Sequence, residues 1–160
     1  MNRLISTITG AVTVAALAGA AFAAAHADKA TLAAVKARQS HMQLYAFNIG
    51  LLGGMAKGDV EYDAEAATSA ATNLATLATL NQMRYWPKGS DNEALGDETA
   101  ALPAIWAEGS DVGAKAQALA TATAAMQEAA GGGLDALRGA IGPVGEACGA
   151  CHKANRKSDS

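Results

Sequence analysis

The sequence predicts an all-α protein, an antiparallel four-helix bundle with a chemistry-bearing motif in its C-terminal helix. Three observations carry that expectation. Apolar residues recur at three- and four-residue spacing in four segments separated by Gly- or Pro-bearing breaks. The 51% hydrophobic share is dominated by alanine and leucine, with only seven aromatic residues, which favours closely packed helices over a sheet. The chain ends almost on Cys148-Gly149-Ala150-Cys151-His152, a C-x-x-C-H motif.

The first bundle segment spans about 28–57. Leu32, Val35, Gln39, Met42, Ala46, Ile49 and Gly53 alternate by threes and fours and read as its buried seam. Gly58 is its stop. The second opens at Tyr62-Asp63, with Asp63 as N-cap, and runs to about Tyr85, because Pro87 forbids continuation. Residues 88–99, rich in Gly, Ser, Asp, Asn and Glu, read as the one long loop. The third segment starts near Leu102-Pro103 and reaches about Ala130, with Gly109 and Gly113 inviting an early break. The fourth runs from Leu134 to about Lys157, and Gly142-Pro143 is expected to kink or loosen it.

Residues 1–27 read as a cleaved secretory signal. Arg3 precedes an apolar run, and Ala21-Phe22-Ala23 and Ala25-His26-Ala27 are A-x-A-like cleavage sites. The rival reading is a retained anchor. It is disfavoured because the run is broken by Ser6, Thr7, Thr9 and Thr13, where a span wants about twenty apolar residues. The remaining 28–160 suits one domain. No later stretch resembles a membrane span, so no membrane insertion is expected after signal removal. The formal charge of −3 becomes −4 once Arg3 leaves with the signal, and no basic stripe points to nucleic acid.

The C-x-x-C-H spacing carries the chemistry. On a helix Cys148, Cys151 and His152 share one face. Two thiols can add to the two vinyl groups of a haem while the adjacent imidazole reaches iron. Zinc would want four ligands, and beyond these three only His26 and His41 remain, without zinc-finger spacing. A thiol redox motif belongs after a strand in a βαβ setting, and no strand precedes this one. A disulfide would leave His152 unexplained. Haem of this type is attached on the outer side of a bacterial inner membrane, so the expected compartment is the periplasm.

A signal, four helices and a C-terminal C-x-x-C-H resemble the class II cytochromes c, meaning cytochrome c′ and its low-spin, methionine-ligated relatives. The resemblance spans the mature chain. It is carried by Arg38-Gln39-Ser40-His41-Met42, Tyr62-Asp63-Ala64, Leu102-Pro103-Ala104-Ile105-Trp106 and Cys148 through Arg156. It implies thioethers at Cys148 and Cys151, His152 as proximal ligand, Arg156 close to it, and Arg38 near the haem propionates. Asn155 stands where the family often has an aromatic residue. Met42, one turn after Arg38, takes the distal position. In cytochrome c′ that side chain only covers an open iron site; in the low-spin relatives a methionine there ligates iron. Met/His ligation raises the reduction potential and suits electron transfer.

The resulting expectation is a one-electron carrier with His152/Met42 ligation, exchanging electrons with redox proteins of a periplasmic respiratory or photosynthetic chain. The alternative is a five-coordinate protein that binds nitric oxide or carbon monoxide. A peroxidase-like enzyme would need a distal acid–base group. His41, the sole candidate, lies about 100° around the helix from Met42 and is expected on the exposed face, so the expectation is a non-enzyme. Tyr45, Trp86 and Trp106 are expected to be packing residues. Family habit adds a homodimer through the first two helices.

Overall fold

The computed structural model describes the backbone of residues 11–158 and the side chains of residues 29–158. The secretory signal expected over 1–27 lies outside the described residues, apart from helical backbone from Ala11 onward. Five α-helices are described: α1 Ala11–Lys57, α2 Ala64–Thr79, the one-turn α3 Asn92–Leu95, α4 Val112–Ala129 and α5 Leu134–Asn155. The long ones form the bundle in the cyclic order α1, α2, α4, α5, with α5 packed chiefly on α4 and α1 chiefly on α2. Among the described residues no helix is long and apolar enough to cross a membrane.

Two stripes run along α1. Val35, Arg38, His41, Tyr45, Asn48, Leu52 and Met55 are buried. That stripe faces α2: Asn73 Nδ2 donates to Asn48 Oδ1 at 3.0 Å, and the His41 ring lies at the Leu77 carbonyl. The seam expected from sequence is mostly the neighbouring stripe. Gly53 in it faces Ile141 of α5, whose Cδ1 lies 3.9 Å from where a Cβ would stand. Leu32, Gln39, Met42 and Ala46 are exposed rather than buried. The true seam carries Arg38, His41 and Asn48, which an apolar pattern does not register.

Asp63 caps α2 as expected, its Oδ1 accepting from the Ala66 N–H at 2.7 Å. The helix stops at Thr79, six residues short of the expected Tyr85. Thr76 and Thr79 donate to carbonyls one turn back, and Asn81 Oδ1 accepts from the Met83 N–H at 3.1 Å. These local bonds offer the backbone an alternative to further helix.

The crossover, residues 80–111, is more structured than the expected loop. It holds 3₁₀ turns at Met83–Tyr85, Gly96–Glu98 and Pro103–Trp106 and the short α3, capped by Asp91. The third expected helix therefore divides, and Gly109 at φ +77° marks the break before α4. In contrast α5 runs unbroken through Pro143. The residue one turn before it is Gly139, and Pro143 itself is exposed.

The core is small and aliphatic. Leu52, Leu74, Met126, Leu137 and Val144 are fully buried among Ala67, Ala70, Ala71, Ala122 and Ala130. Alanine lets the helix backbones approach closely, and each large buried side chain is worth roughly 1.5–3 kcal/mol of transfer.

Candidate haem-binding site

Cys148, Cys151 and His152 lie on one face of α5, spaced three and four apart. Both thiols are free and half-buried, and His152 is exposed. Burial pushes the Cys148 thiol up, Cys151 adds to that, and a backbone hydrogen bond opposes it. Burial lowers His152, and the Arg156 charge lowers it further. An imidazole held neutral keeps its lone pair for a metal. Asn155 is buried and donates from Nδ2 to the Cys151 carbonyl at 3.2 Å, with Cys151 Sγ at 3.8 Å. It thus ties down the last turn of α5 under the motif.

The opposing wall is α1, and contacts fix its register against α5. Arg138 Nε donates to the Ala56 carbonyl at 2.8 Å, and Gly53 faces Ile141. Three residues back along α1 match three forward along α5, as antiparallel helices of equal rise require. Eleven residues further along each helix from Gly53 and Ile141 stand Met42 and His152. Between these levels Tyr45 lies near Cys148: burial and that thiol push its phenol up to about 12, with the polar side chain of Gln82 opposing. Met42 is 36% exposed.

His41 is not the exposed helix residue expected. It is 4% exposed, on the α2-facing stripe, with ring centroids 4.9 Å from Tyr45 and 5.8 Å from Tyr85. Its Nε2 is buried without a partner. Burial pushes the imidazole below its ordinary pKa, with the Leu77 carbonyl opposing.

Arg38 is buried one turn before Met42. Nη1 donates to Ser90 Oγ at 2.7 Å and to the Tyr85 carbonyl at 3.4 Å. Nη2 donates to the Ser90 carbonyl and to Thr99 Oγ1, the latter at 2.7 Å. Those four bonds use the terminal N–H groups and leave Nε–H. The guanidinium also lies 4.9 Å from the Trp86 ring centroid. Burial lowers its pKa, while Asp91 opposes the shift. Trp106 Nε1 donates to the Trp86 carbonyl at 3.0 Å, so both tryptophans pack at this end, as expected. Arg156 caps α5 in extended conformation, and its backbone pairs with Ala101.

The arrangement brings Cys148, Cys151 and His152 together on α5 and sets Met42 level with them on α1, with Arg38 and Arg156 one turn beyond. Sequence reasoning missed Ser90 and Thr99, two hydroxyls in a polar loop with no motif to mark them. Among the described residues no cluster of three His, Cys, Asp or Glu side chains could hold a bare metal ion. Two free thiols with an adjacent imidazole on one helical face, opposite a thioether and beside an orphaned imidazole nitrogen, fit a macrocycle-bound metal instead.

Comparison with known proteins agrees. The family model described as Cytochrome C′ matches residues 33–156. Cytochrome c-554 of Cereibacter sphaeroides is 43% identical over 127 residues, covering 78% of this chain and 81% of that one. Cytochrome c′ of the same organism is 40% identical over 119 residues, covering 74% and 78%. A solved nitric oxide complex of a cytochrome c′ mutant from Alcaligenes xylosoxidans superposes with a TM-score of 0.70 at 34% identity, covering 81% of this chain and 97% of that one. The chain therefore belongs to the cytochrome c′ family and is a four-helix-bundle c-type cytochrome with one covalent haem c.

Proposed function

We propose that this protein is a periplasmic one-electron carrier, exported by a signal within residues 1–27, with His152 and Met42 as the two axial ligands of its haem iron. The observation that supports this is the α1–α5 register, which sets a partly exposed thioether level with the imidazole of the motif. The haem supplies the Fe(III)/Fe(II) couple when bound. Cys148 and Cys151 anchor it, and His152 offers a neutral imidazole. Met42 offers a soft sulfur that favours the reduced state. Arg38 would keep positive charge near the propionates through its remaining Nε–H, and Arg156 would lie beside His152 on the proximal side. No substrate is transformed in this reading. The partners are redox proteins of a periplasmic respiratory or photosynthetic chain, and a homodimer through α1 and α2, whose Leu44 and Phe47 are exposed.

Carbon monoxide titration of the reduced protein tests the ligand set. The expected result is slow or weak binding, since gas must displace a tethered sulfur, and rapid uptake in Met42→Ala with the haem still covalent. The second reading is a five-coordinate gas-binding protein with Met42 as a lid. It draws on the nitric oxide complex of the cytochrome c′ relative. Rapid carbon monoxide uptake by the unaltered protein would select it.

A further inference from the structure

We propose that Thr99 is a positioning residue for the iron's distal side. Its hydroxyl braces α1 against α5 and so sets how closely Met42 approaches the metal. The proposal rests on the haem site above and deepens it.

Thr99 lies in the crossover and is 7% exposed. Its Oγ1 accepts two hydrogen bonds, from Arg38 Nη2 at 2.7 Å and from the Ala101 N–H at 3.1 Å. The first reaches α1, one turn before Met42. The second fixes the short extended stretch that follows. That stretch is laddered to the residues ending α5. The Leu102 N–H donates to the Asn155 carbonyl at 2.9 Å, the Lys157 N–H donates to the Ala100 carbonyl at 2.8 Å, and Ala101 bridges to Arg156. Asn155 is three residues past His152. This buried hydroxyl therefore links the two helices just beyond the level of Met42 and His152, beside an exposed parallel bond from Gln39 Nε2 to the Glu98 carbonyl at 2.9 Å.

On the other side of that level, the helices meet directly at Gly53 with Ile141 and at Ala56 with Arg138. A span pinned at both ends holds its width; released at one end, α1 can swing. A metal–ligand bond tolerates only tenths of an ångström, whereas a lid of cavity-filling sulfur tolerates more. The brace matters in either case, because it sets access to the distal side.

The test compares variants of the holoprotein by the rate of carbon monoxide association with the reduced iron and by the high-spin fraction. Thr99→Val keeps the shape and removes the acceptor. It should speed association roughly tenfold, the equivalent of one hydrogen bond's net worth, and raise any high-spin fraction. Thr99→Ser keeps the hydroxyl and should retain the original rate. Tyr62→Phe is the control for general loosening. Tyr62 donates to the Ala130 carbonyl at 2.8 Å and accepts from the Gly133 N–H at 3.0 Å, joining α2 to the α4–α5 turn away from the haem end. It should leave the rate unchanged. Arg38→Lys, which loses the fork but keeps the charge, should behave like Thr99→Val and serves if that variant does not fold. An unchanged rate in Thr99→Val, or equal acceleration in Tyr62→Phe, overturns the proposal. The parent protein's own rate reports on Met42 ligation; the ratio of variant to parent reports on the brace, so the two can fail separately.

Discussion

The two ends of the bundle are held together differently. At the end away from the haem motif, Leu52, Met126 and Leu137 are fully buried among alanines, and Tyr62 ties the start of α2 to the α4–α5 turn through its two hydrogen bonds. At the motif end, α1 presents Arg38, His41 and Tyr45 to the interior, and two of these keep an unpartnered polar atom, His41 Nε2 and Tyr45 Oη. Order there comes from the crossover, through Arg38, Ser90 and Thr99. One end is an apolar core that closes on itself. The other is a polar frame beside the C-x-x-C-H turn, and α1 passes through both.

This contrast can be broken most severely at the motif. Cys148→Ala combined with Cys151→Ala should release all haem into the organic phase on acid–acetone extraction, while the unaltered protein keeps its colour. Free haem from the unaltered protein would contradict covalent attachment.

A substitution in the closed end should cost stability without touching the iron. Leu137→Ala, at a fully buried position, should lower unfolding free energy by about 2–5 kcal/mol in a denaturant titration, with the visible spectrum of the folded protein unchanged. At the motif end His41→Leu should do the reverse of a core deletion. It removes a buried nitrogen without a partner, so stability should hold or rise by about 1 kcal/mol, again with an unchanged spectrum if His41 is no ligand. A lost low-spin spectrum in His41→Leu would move the axial role from Met42 to its neighbour.

The smallest effect is expected at the start of α4, remote from this contrast. Asp111 accepts from Lys115 Nζ, and that bond holds its carboxyl below the ordinary value, with burial opposing and the lysine charge adding to the shift. A depressed carboxylate stabilises above its unfolded pKa, near 4, and that contribution fades as pH falls through the folded value. Asp111 is exposed, so Asp111→Asn should lower the melting temperature slightly at pH 7 and not at pH 3. An equal difference at both values would point to a neutral role for Asp111.

The fold class was legible because the bundle helices are punctuated: Gly58 after α1, Asp63 capping the start of α2, the 131–133 glycines between α4 and α5. What misled was polarity on a buried face. Periodicity assigned the seam of α1 to Met42 and Gly53, the stripe that meets α5. The deeper stripe hides Arg38 and His41, whose burial depends on the crossover wrapping over them. That wrapping was itself illegible, because Ser90 and Thr99 look like ordinary loop residues until Arg38 reaches them. The haem motif needed no tertiary information, since its three groups are neighbours on one turn of helix. Met42 was readable only through the family resemblance, and the α1–α5 register now supplies an independent reason to look there.

The most direct measurement is the spin state of the oxidised iron in the unaltered protein, read by electron paramagnetic resonance at low temperature. Ligation by His152 and Met42 predicts a low-spin signal, together with a weak sulfur-to-iron charge-transfer band at the red end of the spectrum, both lost in Met42→Ala. A high-spin signal in the unaltered protein, with no such band, would contradict the account and leave Met42 as a lid over an open site.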